Sequence, residues 1–200
     1  MKKKQETLIC LSLSSKLSGT YQSACLAKDM VDYENIFIID TLTAAAGIRL
    51  LCEVAINWIG ENRSVESIVS GLEELKERVH IYAGLDTLEY LAKGGRISKT
   101  AAAIGTLASI KPIICVNHGE VVVAGKTRGV NKATSVVCEK MQSDIVDTLY
   151  PVYTLYSYGL ENVEKLESKL DLDVNRARIG STIGVHIGPN AFGVCFVSKL

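Results

Sequence analysis

A run of hydroxyl side chains follows the first apolar segment of the chain. The sequence LSSKLSGT at residues 13–20 carries the hydroxyls of Ser14, Ser15, Ser18 and Thr20. Hydroxyls and the free amides at a helix start donate hydrogen bonds to anions, so a carboxylate or a phosphate fits such a loop. Capping is the alternative, because Ser and Thr often satisfy the first amides of a helix without any ligand.

Three cationic or titratable side chains stand beside glycines elsewhere in the chain: Arg96 in GGRIS, Arg128 in KTRG and His186 in GVHIGPN. A cation on a glycine turn ahead of a helix attracts anions, because glycine frees the backbone and a helix N-terminus is positive. Each group also has a plainer interpretation. The Gly-Gly pair is a tight connection, Arg128 is a solvated cation, and His186 is a structural residue.

Two other chemistries fit these residues less well. A P-loop requires a glycine five residues before a second glycine that precedes lysine, and those places hold Lys93 and Ser98. We therefore exclude nucleotide binding at this loop. A serine hydrolase that uses a Ser near His186 stays open as an alternative. The sequence contains no Gly-x-Ser-x-Gly motif and places no acid to orient the histidine.

The composition excludes several classes of protein. The 200 residues carry 22 basic and 22 acidic side chains, a balance that argues against a nucleic-acid binder. The apolar run LICLSL after MKKKQE is too short for a signal peptide or a membrane span. We therefore expect a cytoplasmic protein. The six cysteines form no CxxC pair, so we expect no disulfide framework, metal site or cofactor.

Strands and helices alternate over residues 1–78. Apolar runs predict strands at Glu6–Leu13 and before Asp40, and helical spacing predicts helices from Tyr21, at Thr43–Ile59 and from Ser64. This alternation is typical of a parallel sheet covered by helices, so residues 1–78 are predicted as a first α/β lobe. In its first helix we expect an inner stripe of Tyr21, Ala24, Cys25, Leu26 and Met30.

Residues 79–200 are predicted as a second α/β lobe with a mixed sheet. Asp86 is expected to cap a helix that starts at Thr87, and Ser98 is expected to cap an Ala-rich one. Residues 113–127 predict a hairpin with His118-Gly119 at its turn. Further helices are predicted at Arg128–Val146, at Asn162–Leu170 and after Ser181, and further strands at residues 150–158 and at Phe192–Val197.

Four segments together make the chain resemble the DegV family of bacterial fatty-acid-binding proteins. They are LSSKLSGTYQSA at residues 13–24, LDTLEYL with GGRIS at 85–98, IKPI at 110–113 and IGVHIGP at 183–189. The likeness runs from about Ile9 to the end of the chain. It implies a two-lobed α/β architecture in which a long acyl chain is buried between or within the lobes.

The resemblance also implies roles for particular residues. Ser18 is expected to contact the fatty-acid carboxylate, with Ser15, Arg96, Arg128 and His186 as members of the surrounding network. It implies a carrier rather than an enzyme. It further implies a partner, a separate fatty acid kinase to which the bound acid is presented.

The sequence departs from the family pattern in two places. The family's TDS-like and Thr-Ser-Gln-Pro-like motifs are absent, and the chain begins where the third strand of the first lobe is expected. We therefore predict a truncated parallel sheet, weak fatty-acid binding and self-association through an exposed edge. Asn190 and Phe192 replace a small residue and a leucine, and Phe192 is expected to narrow the acyl tunnel. A DegV-like interaction protein that binds no lipid is the remaining alternative.

Overall fold

The computed structural model describes residues 6–97 and 109–199. The strands there are β1 (Leu8–Ser12), β2 (Ile36–Asp40), β3 (Val79–Gly84), β4 (Ile110–Asn117), β5 (Glu120–Arg128), β6 (Tyr153–Tyr156), β7 (Asn175–Arg178) and β8 (Phe192–Val197). The helices there are α1 (Thr20–Asp29), α2 (Ala46–Gly60), α3 (Val65–Leu75), α4 (Glu89–Lys93), α5 (Val130–Ser143), α6 (Glu161–Glu167) and α7 (Ser181–Ile187), with a 3₁₀ turn at Lys76–Arg78. The helix predicted after Ser98 lies outside the described residues.

The first sheet is a parallel pair of β1 and β2, in register from Leu8 opposite Ile36 to Ser12 opposite Asp40. Helices α2 and α3 cover it with fully buried leucines at 50, 51 and 72. Helix α3 begins where the sequence predicts, because the Ser64 side chain accepts a hydrogen bond from the amide of Ser67. This arrangement confirms the predicted parallel sheet with helices.

The second sheet has six strands in the order β5-β4-β3-β8-β6-β7. Strands β6 and β7 are parallel, and the other neighbouring strands are antiparallel. The hairpin of β4 and β5 turns at His118 and Gly119, whose φ angles of 46° and 84° are those of a tight two-residue turn. The predicted mixed α/β sheet is therefore confirmed. Strand β7 was not predicted, because its sequence NRAR buries only Ala177.

Alternation along β3 and β8 divides the core into two clusters. Ile81 and Ala83 face the side of the first sheet, whereas Phe192, Val194 and Phe196 face α5 and α6. Strand side chains point alternately to opposite faces, so one sheet serves both clusters. The cavity described below lies on the side that faces the first sheet.

Two local predictions are wrong. Helix α4 begins only at Glu89, whose amide is bonded to Oγ1 of Thr87 at 3.2 Å, and Asp86 binds other partners. In α1 the half-buried stripe runs through Tyr21, Ala24 and Cys25, but Leu26 and Met30 are 64% and 86% exposed. Helical spacing places Leu26 on the outer side of α1, and Met30 follows the end of the helix.

Candidate functional site

A cavity of about 180 Å³ lies between the two sheets. Its floor is the inner face of the large sheet, formed by Ile81, Ala83, Ile114, Val116, Val121 and Leu155. The loop after β1, the loop before α2, and helices α4 and α7 form its walls. Among the described residues, the side chains that bring polar groups to this apolar space are those of Ser18, Arg96, Thr182 and His186.

Both sheets hold the hydroxyl loop that follows β1. The buried Oγ of Ser14 donates to the carbonyl oxygen of Gly119 at 2.7 Å, which ties this loop to the β4–β5 hairpin. A Cβ at Gly119 would stand 2.6 Å from that Oγ, and the φ of 84° favours glycine. Ser18 Oγ lies 2.8 Å from Thr20 Oγ1 and accepts from the Thr20 amide at 3.3 Å. Ser18 thus binds the first amide of α1, although no side chain caps that helix at Gly19, and Ser18 also lines the cavity.

Arg96 joins the glycine turn to the hydroxyl loop. Its Nε donates to the carbonyl oxygen of Leu17 at 3.1 Å, and its Nη1 donates to the carbonyl oxygen of Gly94. Leu17 directly precedes Ser18, so these bonds place the guanidinium beside the hydroxyl loop. A cation and hydroxyls at one wall can give charge-assisted hydrogen bonds to an anion.

His186 reaches the same wall from α7. A Cβ at Gly94 would overlap its Nδ1, so the close approach of the imidazole requires glycine there. The Nδ1 is buried and has no hydrogen-bond partner among the described residues. Leaving a buried polar atom unpaired costs about 1–3 kcal/mol. A hydrogen-bonding ligand or a water would recover that free energy.

Of the five predicted site residues, Ser18, Arg96 and His186 line this cavity. Ser15 stands one turn back in the loop, where its amide donates to Oδ1 of Asp40 at 3.0 Å. Arg128 is the exposed last residue of β5, opposite Ile110. Neither Ser15 nor Arg128 belongs to the described lining, so their roles in the network stay predictions.

Sequence reasoning missed the part of the wall that precedes α2. Ala44 and Ala45 line the cavity, and Ala45 has φ 48° and ψ −120°, a backbone conformation that strains a non-glycine residue. The side-chain Oγ1 of Thr43 is buried there without a described partner. The position of this segment could have indicated it, because it follows β2 at the same sheet edge as the hydroxyl loop, and ligands bind at the carboxyl ends of parallel strands.

Phe192 does not narrow the cavity, which corrects the expectation from the sequence. It is 1% exposed and lies in the core cluster on the opposite face of the large sheet. Its ring fills the space where a Cβ at Gly84 would stand. The prediction failed because the face to which Phe192 points depends on the alternation of β8.

A second polar cluster lies on that opposite face. His80 Nε2 is 3.0 Å from Ser198 Oγ, and its Nδ1 is 3.6 Å from Asp144 Oδ2. Tyr82 donates its hydroxyl to the same Asp144 oxygen at 2.6 Å, and burial is the main cause that raises the pKa of Tyr82. Burial also lowers the pKa of His80, against the opposing effect of Asp144. The cluster resembles a Ser-His-Asp triad in its order of contacts.

Within residues 6–97 and 109–199, no group of three or more His, Cys, Asp or Glu side chains could hold a metal ion. The same stretches contain no helix with both the length and the apolar character that a membrane crossing needs.

Comparisons with known proteins agree with this architecture. The family model described as "Uncharacterised protein, DegV family" matches residues 1–199. A DegV domain-containing protein of Clostridium acetobutylicum is 36% identical over 195 residues, which are 96% of this chain and 70% of the relative.

Two solved structures share the fold. One is a fatty-acid-binding DegV family protein from Thermus thermophilus, which superposes with a TM-score of 0.88 at 29% sequence identity. The superposition covers 99% of this chain and 73% of the Thermus chain. The other is a stearic-acid-binding protein from Eubacterium ventriosum, with a TM-score of 0.84 at 27% sequence identity. That superposition covers 99% of this chain and 72% of the Eubacterium chain.

Proposed function

The chain belongs to the DegV family, and we propose that it binds one long-chain fatty acid in the cavity between its two sheets. The observation that carries this proposal is the meeting of Ser18, Arg96 and His186 at the wall of an otherwise apolar cavity. Relatives that share the fold at more than a quarter identity bind fatty acids, stearic acid among them.

The energetics favour such a ligand. Burying an acyl chain contributes about 0.8 kcal/mol per methylene, so a long tail supplies most of the driving force. Burying an unpaired carboxylate is costly, which is why the head needs donors. We assign the head to Ser18, Arg96 and His186, with Ser15 and Arg128 farther out in the network.

The size of the cavity adds a requirement. A cavity of about 150 Å³ holds one benzene molecule, so the space of about 180 Å³ among the described residues takes only part of a long acyl chain. The rest of the acyl chain therefore has to extend beyond this space or to widen it. Where the cavity widens, we expect the short helices α4 and α7 to move, because helices of five and seven residues have little stability of their own.

Calorimetric titration of the delipidated chain with hexadecanoic acid and with its methyl ester tests the proposal. We expect saturable binding of one acid per chain and much weaker binding of the ester, because only the acid offers a charged head. Ser18→Ala should weaken binding of the acid more than that of the ester. Native mass spectrometry of the purified chain tests for retained lipid. Failure to detect either binding or lipid would favour the alternative of an interaction protein that binds no lipid.

We further propose that the protein is not an enzyme. Among the described residues, the triad-like cluster favours a hydrolase, but its His–Asp distance of 3.6 Å exceeds a hydrogen bond, and that Asp144 oxygen already accepts a hydrogen bond from Tyr82. The amide of Ser198 is also bonded, to the carbonyl oxygen of Arg78, so it cannot stabilise an oxyanion. Turnover of a p-nitrophenyl ester that Ser198→Ala abolishes would establish the hydrolase instead.

Four finer features remain proposals. We place the boundary between the two lobes between residues 78 and 79. We also propose that the protein lies in the cytoplasm. We propose a fatty acid kinase as the partner that receives the bound acid, to be tested by pull-down and phosphorylation of the loaded carrier. We also propose self-association through β1, which pairs only with β2 among the described strands.

A further inference from the structure

The loop that joins α7 to β8 is attached at both of its ends. Ser157 Oγ donates to the carbonyl oxygen of Gly188 at 2.9 Å and accepts from the amide of Ala191 at 3.0 Å. Asn190, between them, has a φ of 59°, which asparagine tolerates better than most residues. Asn162 Nδ2 donates to the carbonyl oxygen of Asn190 at 3.0 Å. The loop therefore contacts the ends of both β6 and α6.

The Asn190 side chain adds a third attachment, to the segment after β3. Its Nδ2 donates to Oδ2 of Asp86 at 2.8 Å, and the Lys111 ammonium lies 2.7 Å from the other carboxylate oxygen. Partial burial by itself would raise the pKa of Asp86, but the hydrogen bonds from Lys111 and Asn190 outweigh it and lower that pKa. Asp86 is thus a charged and fixed acceptor.

This loop positions one wall of the cavity. Helix α7 is only seven residues long and brings Thr182, Ile183, His186 and Ile187 to the lining. It ends at Gly188, with φ 76°, and the Tyr90 ring occupies the place of a Cβ there. So short a helix has little stability of its own, and its place depends on the packing of Ile183 and Ile187 in the core and on the segments at its two ends.

We propose that Asn190 is a positioning residue that, through Asp86, holds the Gly188–Ala191 loop and thereby keeps α7 and His186 at the cavity. The consequence for ligand exchange rests on the proposed function. A closed α7 retains the acyl chain, and release of the Asn190–Asp86 bond lets the wall open. The DegV resemblance leads us to expect a small residue at position 190, and a small residue cannot form this bond. The wild-type chain should therefore exchange its ligand more slowly than the Asn190→Gly variant.

Two variants remove the bond with little backbone strain. Asn190→Gly deletes the donor and accepts the positive φ. Asn190→Asp keeps the size and the tolerance of that φ but turns an oxygen toward Asp86. The matched controls are Asn62→Gly and Asn62→Asp, because Asn62 also has a positive φ, of 57°, and lies after α2, away from the cavity. In the described structure its side chain donates no hydrogen bond.

Hydrogen exchange of the ligand-free chain decides the positioning role without any lipid. Both Asn190 variants should speed exchange in residues 181–187 about tenfold, which corresponds to about 1.4 kcal/mol, and the Asn62 variants should not. An NMR titration should show a higher pKa for Asp86 in Asn190→Gly than in the wild type, because the variant lacks the hydrogen bond to the carboxylate. A variant in which the loop loosens but this bond remains would not show that change. Unchanged exchange in residues 181–187, or an unchanged Asp86 pKa, would overturn the proposal.

Release of a fluorescent fatty acid then tests the consequence for the ligand. Dissociation should be about tenfold faster from both Asn190 variants than from the wild type and from the Asn62 controls. Equal dissociation rates would overturn the retaining role. Failure of the wild-type chain to bind the acid would count against the proposed function instead, and the hydrogen-exchange result on the ligand-free chain would still decide the positioning role.

Discussion

Replacing Arg96 by alanine is expected to weaken fatty-acid binding about tenfold to thirtyfold. The guanidinium lines the cavity, and its Nε is bonded to the carbonyl oxygen of Leu17, next to Ser18. A hydrogen bond to a charged group contributes about 1.5–3 kcal/mol. Because Arg96 is exposed, solvent screening favours the lower part of that range, about 1.5–2 kcal/mol, which corresponds to the stated loss.

The assay is calorimetric titration with hexadecanoic acid and its methyl ester. Arg96→Ala should weaken binding of the acid and leave that of the ester nearly unchanged, because only the acid carries a charged head. Arg96→Lys should lose part of the affinity, since an ammonium keeps the charge but not the planar fork. Arg63→Ala is the control, an exposed arginine after α2 and outside the described lining, and we expect less than a threefold effect from it.

An unchanged affinity of Arg96→Ala for the acid, with lipid bound, would refute this reasoning. Arg96 would then be structural, and its loss would appear only as a stability change from the bond to Leu17, about 1 kcal/mol. Asp86 and Glu89, the carboxylates nearest to it in sequence, lie within ion-pair distance of Lys111 and Lys93. A structural Arg96 would therefore act through the backbone carbonyls to which it donates.

Three further predictions concern other parts of the chain. Gly94→Ala should reduce affinity for the acid at least tenfold with the fold intact by circular dichroism, because the added methyl displaces His186; wild-type affinity would contradict the contact. Because burial lowers the pKa of His80 despite Asp144, the unfolded chain binds this proton more readily. The unfolding free energy should therefore fall as the pH drops below about 6.5, and urea titrations of His80→Gln should show a flatter pH dependence. Light scattering should detect a dimer at high concentration, and a clean monomer would argue against association through β1.

Local sequence signals predicted most elements of this fold. The strand Phe192–Val197 and the turn at His118 and Gly119 stand where the sequence placed them. Ser64 caps α3 as expected. These signals depend on neighbouring residues, because alternation, turn chemistry and capping act over a few positions. Strand β7 escaped prediction because one buried residue in four gives no alternation to detect.

The candidate site depended more on the tertiary structure than the strands and helices did. Residue types and glycine contexts indicated the hydroxyl loop at residues 14–20, Arg96, Arg128 and His186 as candidates for anion binding, and the DegV resemblance selected Ser18 among the hydroxyls. Their meeting at one cavity depends on contacts between distant segments, namely Arg96 with Leu17, 79 positions away, and His186 with Gly94.

Asp86 shows most clearly what local sequence cannot decide. An aspartate ahead of a helix looks like a cap, yet its partners are Lys111 and Asn190, 25 and 104 positions along the chain. Which face Phe192 occupies was equally a matter of sheet assembly. The sequence by itself determined where the chain forms strands, turns and caps, because those preferences are local. The tertiary structure decided which charged and apolar groups meet, because long-range packing and burial select their partners.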